Sequence, residues 1–235
     1  MKEWLIALLF LSISSALGIK SFRSTSRLSA EIEQLTAKKN LQFQRLTAEK
    51  RALEVKYSQL RYIHDLAIEF SFDPSLVSLV DHYSKMNVDS AGTEWRFVKN
   101  HEFMTHLMLS LIFAESKGNP RAKSDGGKAR GLTQIWTSTA RQYVEELGDV
   151  TAEELLDPEM NLMFSFRHFQ ELLRDFQGNV TLALLAWNRG ASRVRRLIAY
   201  HQDPANGFAQ KVYLSSLDHN KYTPFRKFRA EQSVW

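Results

Sequence analysis

A mainly α-helical protein is predicted, on three observations. Apolar residues recur at steps of three and four along most of the chain. Helix starts are marked by Asp73-Pro74, Asn100 and Asp157-Pro158, and alternating strand-like runs are sparse. With 235 residues, 44% of them hydrophobic, the chain can bury a core, and one compact domain with an appendage is the natural division.

Trp4 to Ile19 is an uncharged run, with Lys2 before it and Lys20 and Arg23 after it. Sixteen helical residues span roughly 24 Å, short of the roughly 30 Å hydrocarbon core, so a secretory leader fits better than a full membrane span. Ala16 and Gly18 supply a cleavage pattern, and retention as a signal anchor is the alternative. Arg27 to about Phe70 holds neither Gly nor Pro and reads as one long helix. Leu28, Ile32, Leu35, Leu46, Leu53, Leu60 and Ile63 keep to a 3.5-residue spacing that Lys39, Gln42, Glu49 and Lys56 interrupt. A spacer or self-association helix and a solvated helix packed on its own domain both satisfy that pattern.

Asp73-Pro74 starts a short helix through about Tyr83, and Asn87 to Lys99 reads as irregular connection. Asn100 caps the next helix, which carries Met104, Leu107, Met108, Leu111 and Ile112 on one stripe. Gly118 is its expected C-cap and Pro120 its stop. Gly118 to Gly131 is a glycine-rich shaped loop. Ala140, Tyr143, Val144 and Leu147 make one apolar face, and Thr151 with Glu154 forms a capping box. Asp157-Pro158 opens a longer helix stopped by Gly178, and Val180 to Arg189, Ser192 to His201 and Phe208 to Leu217 are three more.

The net charge of +5 favours a polyanionic partner: acidic wall polymer, anionic lipid or nucleic acid. There are no cysteines, which excludes disulfides and thiolate metal sites. The seven histidines show no ligand spacing, so neither metal nor cofactor is expected.

Continuing the stripe of the helix after Asn100 by three or four residues places Glu115 where a hydrophobe belongs. Apolar surroundings and the negative end of a helix both raise a carboxyl pKa, as a general acid near neutral pH requires. The bland alternative is a structural carboxylate bonded to amides or an arginine.

Four blocks stand in order along the chain: Glu115-Ser116, Gly131-Leu132-Thr133-Gln134-Ile135, Ala186-Trp187-Asn188-Arg189-Gly190 and Val212-Tyr213-Leu214. Together they resemble the catalytic domain of the soluble-lytic-transglycosylase-like (SLT) family over roughly residues 101 to 217. The resemblance implies a lysozyme-like helical fold that cuts the β-1,4 link between N-acetylmuramic acid and N-acetylglucosamine, leaving a 1,6-anhydromuramyl end. Glu115 then acts as acid and afterwards as base, with the substrate acetamide in place of a protein nucleophile. No second carboxylate stands in the matched blocks, whereas two-carboxylate glycosidases need one. Thr133, Trp187 and Arg189 depart from the usual Met, Tyr and Ala.

On the same resemblance Ser116, Gln134, Ile135, Trp187, Asn188 and Tyr213 are substrate-binding candidates. Five of them have a plainer role open: Ser116 satisfying a helix end, Gln134 bracing the loop, Asn188 capping, Tyr213 and Trp187 filling core. Trp136 stacks on a sugar or packs inside, and Asp125 reads as a solvated turn residue. The expected division is a leader or anchor at 1–19, a helical spacer at 20–70, the catalytic domain at 71–218 and a basic aromatic tail at 219–235. Peptidoglycan in the periplasm or cell envelope is the expected partner, with membrane association through residues 1–19 and self-association through 27–70 as further possibilities. No nucleic-acid partner is expected. A hydrolytic goose-type-like muramidase and a non-catalytic wall-binding or scaffold protein are the competing readings.

Overall fold

The structure, a computed structural model, describes residues 20–90 and 100–217, with the side chains of 27–86, 100–212 and 214–215. The leader at 1–19 and the tail at 219–235 therefore lie outside the described residues. Helices among those residues are α1 (Lys20–Phe70), α2 (Pro74–Ser90), α3 (His101–Ser116), α4 (Thr137–Ala140), α5 (Val144–Leu147), α6 (Pro158–Asp175), α7 (Val180–Arg189), α8 (Ala191–Ala199) and α9 (Phe208–Leu217). The expected mainly α-helical class is what the chain adopts. Among the described helices none is long and apolar enough to cross a membrane.

Two units divide at Arg61 and Tyr62. In the first, α1 exposes every described side chain except Thr47, which is intermediate. In the second, Leu66, Ala67 and Phe70 from the last turns of α1 join a core built chiefly on α2, α3, α6, α7 and α9. A smaller cluster of Ile135, Ala140, Tyr143, Val150, Leu155 and Phe164 packs separately. At about 1.5–3 kcal/mol per buried large side chain, these clusters hold the elements that carry the site.

Capping chemistry sets several boundaries where expected. Asn100 accepts from the amides of Glu102 and Phe103, and Asp157 from that of Met160. Thr151 and Glu154 form the reciprocal box: the Thr151 amide donates to Glu154 Oε2 at 2.8 Å, and the Glu154 amide to Thr151 Oγ1 at 3.2 Å.

Three details differ from the sequence expectation. First, α2 runs on to Ser90, through the start of the stretch expected to be irregular, because Lys85 pairs with the buried Asp81 at 2.6 Å and no breaker intervenes. Second, the left-handed cap of α3 is Lys117 at φ 58°, not Gly118; its ammonium lies 3.7 Å from the centroid of the Phe113 ring. Gly118 is needed for another reason, since a Cβ there would come within 2.7 Å of the Phe72 ring. Third, the glycine-rich loop and the residues just after it form three two-residue antiparallel strands, β1 (Lys123–Ser124), β2 (Ala129–Arg130) and β3 (Ile135–Trp136), in the order β1-β2-β3. Pairing Lys123 with Arg130 and Arg130 with Ile135 gives a segment that looked like loop a fixed shape.

Candidate active site

Helix α3 is almost wholly buried, with Met104, Leu107, Met108, Leu111 and Ile112 at 0% exposure, and Glu115 comes after them in its last turn. Burial pushes the Glu115 carboxyl from the usual 4.5 up to about 7, Asp125 adds to the rise, and Lys211 and a hydrogen bond from the Trp187 side chain oppose it. Lys211, on α9, donates from Nζ to the Ala114 carbonyl at 2.6 Å. It thus answers an unpaired carbonyl at the end of α3 and sets a cation beside the acid.

Glu115 opens on a groove of about 630 Å³, lined on the loop side by Ser124, Asp125, Gln134, Ile135 and Trp136. Across from these stand residues of α6 (His168, Glu171, Asp175) and of α7 (Trp187, Asn188, Arg189). The groove therefore combines one largely buried acid with neutral hydrogen-bonding groups and with the charged side chains of Asp125, Glu171, Asp175, Arg189 and Arg195.

The six binding candidates fall into distinct places. Gln134, Ile135, Trp187 and Asn188 line the groove with Glu115. Gln134, at φ 53°, spends its amide on the loop: Nε2 donates to the carbonyls of Ala122 (3.0 Å) and Gly131 (2.8 Å), and Oε1 accepts from Ser124 at 2.6 Å. These bonds brace the loop, and the residue also lines the groove. Ser116 is not among the residues lining the groove, and its hydroxyl donates to the Ile112 carbonyl at 3.3 Å, one turn back in its own helix. Asn188 Oδ1 accepts from Asn206 Nδ2 at 2.7 Å. Tyr213 has its backbone in α9, and its side chain lies outside those described. Trp136 is 43% exposed at the groove edge, with the Lys128 ammonium 5.6 Å from its centroid.

Each departure from the family pattern has a local partner. Thr133 is buried, its Oγ1 2.9 Å from Asn161 Oδ1 and 2.6 Å from Ser165 Oγ. Asn161 accepts from the Thr133 amide as well (3.1 Å) and donates to the Arg130 and Leu155 carbonyls, both at 2.9 Å. One buried amide thereby ties the loop at 130–133 to α6. Gly131 sits against it, where a Cβ would meet Leu155 O at 2.3 Å and Asn161 Nδ2 at 2.4 Å. Arg189 NH1 donates to the Pro204 carbonyl at 2.7 Å, pinning the chain before α9.

Sequence reasoning missed Lys211, Asn161 and a polar trio in the groove wall. Tyr143 donates to Glu171 Oε2 at 2.5 Å, and its oxygen is 2.7 Å from His168 Nδ1. The carboxylate only accepts and the phenol has one proton, so Nδ1–H donates to the phenol and Nε2 is left as an acceptor. Burial lowers the His168 pKa to about 4, leaving the ring neutral at ordinary pH. Trp187 packs against this ring, centroids 5.3 Å apart, on the side chain that reaches Glu115. No local motif announces contacts between residues 25 and 97 positions apart.

Residues 97–207 match the Transglycosylase SLT domain family. The chain is 32% identical over 103 residues to the soluble lytic murein transglycosylase of Escherichia coli K12, covering 43% of this chain and 16% of that protein. It is 28% identical over 135 residues to a Haemophilus influenzae protein named after the same enzyme, covering 56% of this chain and 23% of that one. The chain thus spans less than a quarter of the length of these curated relatives. The crystal structure of the 70 kDa soluble lytic transglycosylase of Escherichia coli aligns with 63% of this chain and 24% of that one, at 23% identity and a TM-score of 0.47. Among the described residues no group of three or more His, Cys, Asp or Glu is placed to hold a metal ion.

Proposed function

We propose that the chain is a peptidoglycan lytic transglycosylase on a lysozyme-like fold, cleaving the β-1,4 bond between N-acetylmuramic acid and N-acetylglucosamine. The supporting observation is Glu115, a largely buried carboxyl at about 7 opening on a groove rich in hydrogen-bonding side chains. Protonated Glu115 donates to the departing glycosidic oxygen. The resulting carboxylate then takes the proton from the sugar's 6-hydroxyl as that oxygen closes on C1, giving the 1,6-anhydromuramyl end. Participation by the neighbouring acetamide carries the positive charge between the two steps. Trp187 and Lys211 hold the acid and stabilise its ionised form midway, while Asn188, Ile135 and Trp136 face the glycan. The test is release of soluble muropeptides from purified sacculi by the full chain; sacculi left intact would refute the assignment.

A hydrolytic muramidase is the second reading. It is favoured by one observation, the presence of Asp125, Glu171 and Asp175 on the same groove as Glu115, any of which would have to direct water.

Around the domain at 71–218, residues 1–19 are read as an export leader or inner-membrane anchor, 20–70 as a spacer or self-association helix whose last turns (Leu66, Ala67, Phe70) pack into the second unit's core, and 219–235 as a basic tail. This places the protein in the periplasm or cell envelope with peptidoglycan as its partner.

Two substitutions probe this arrangement. Lys211→Met removes a cation that lowers the Glu115 pKa, so the alkaline limb of the pH–kcat/KM profile moves to higher pH, by up to about one unit. An unmoved limb would show that Lys211 does not act on the acid. Trp136→Ala takes away a half-exposed ring at the groove edge; if it stacks on a sugar, KM rises roughly tenfold with kcat little changed.

A further inference from the structure

Between Leu28 and Leu60, α1 carries a row of apolar side chains turned to solvent: Leu28, Ile32, Leu35, Leu46, Leu53 and Leu60 are 57% to 67% exposed. The same two heptad positions continue as Ile63, Ala67 and Phe70, where Ala67 is 6% and Phe70 2% exposed in the core of the second unit. A row that is core-like in composition at both ends and solvated over about nine turns is an uncovered seam.

The polar residues interrupting that seam identify what covers it. We propose that residues 28–60 pair with the same segment of a second copy as an antiparallel two-stranded coiled coil, in the register that sets Lys39 opposite Glu49. In a parallel pair each seam position meets itself, so Lys39, Glu49 and Lys56 would face like charges. In the antiparallel register each a position meets a d position. Lys39 meets Glu49, Leu35 meets Leu53 and Leu28 meets Leu60, each twice across the dyad. Gln42 meets Leu46, and Lys56 covers Ile32 with its alkyl stem while its ammonium reaches water. A slip of one heptad sets Lys39 opposite Gln42 or Lys56 and loses the charge match. The seam is thus self-complementary in one orientation and one register, which is what an isologous dimer requires.

The proposal rests on the reading of 27–70 as a self-association helix and specifies its geometry. The test is sedimentation equilibrium of the full chain in mild detergent, with circular dichroism confirming that each variant stays helical. Lys39→Glu and Glu49→Lys should each weaken dimerisation about tenfold, and the two together should restore it to within about threefold. The absence of native cysteine allows a second readout: a mixture of Leu28→Cys and Leu60→Cys chains should give the mixed disulfide and little of either homodimer. Single swaps without effect, or a double swap without rescue, would overturn the proposal. Leu28→Cys chains cross-linking to themselves would overturn the orientation while leaving self-association standing, and a monomer at micromolar concentration would overturn both.

Discussion

Glu115→Gln is expected to lower muropeptide release by roughly a thousandfold or more while leaving sacculus binding in place. Glutamine keeps the shape and a hydrogen-bonding end but has no proton to deliver at neutral pH. The same substitution should stabilise the fold, in a pH-dependent way. The native carboxyl holds its proton up to about 7, whereas the unfolded one releases it near 4.5. Between these values the unfolded chain binds fewer protons, so wild-type stability falls as pH rises from about 4.5 to about 7 and is flat above. The accumulated cost is on the order of 3 kcal/mol. A neutral glutamine side chain carries no such cost, so thermal melts should separate variant from wild type near pH 8 and converge near pH 4. Equal melts at both would mean that the acid is not held protonated by its surroundings.

The second large effect is on stability. Asn161 is fully buried and uses both lone pairs and both amide protons, on the Thr133 amide and hydroxyl and on the Arg130 and Leu155 carbonyls. Asn161→Ala leaves several buried groups without a partner and opens a small void, an expected loss of about 3–5 kcal/mol. Urea unfolding monitored by circular dichroism measures it directly. Because the amide fastens the loop that leads into Gln134 and Ile135, activity should fall even where the variant is still folded. A loss under about 1 kcal/mol would mean that water substitutes for the side chain.

The helices were legible because their signals are local. Asn100, Thr151 with Glu154 and Asp157-Pro158 each cap the turn directly after them, and the stripe from Met104 leads to Glu115 whatever the rest of the chain does. The boundaries that were missed depend on partners elsewhere: α2 outlasts its expected end through the Lys85–Asp81 pair, and Lys117 takes the left-handed cap while Gly118 yields to Phe72. Strands of two residues leave no periodicity to read. Within the groove the motif residues were visible, whereas the side chains that hold them were not. Lys211 reaches Ala114 across 97 positions and Asn161 reaches Thr133 across 28, and neither stands in a motif. Ser116, the motif neighbour of the acid, turns its hydroxyl back onto its own helix, which its place in the motif does not announce.

The central claim is that one buried acid, working without water, performs the whole cleavage. Digesting sacculi in water enriched in oxygen-18 and weighing the released muropeptides tests it most directly. Products should end in anhydromuramic acid, one water lighter than a reducing end, and carry no heavy oxygen. Reducing ends labelled with oxygen-18 would show that water attacks, and one of the groove's other carboxylates would have to be its base.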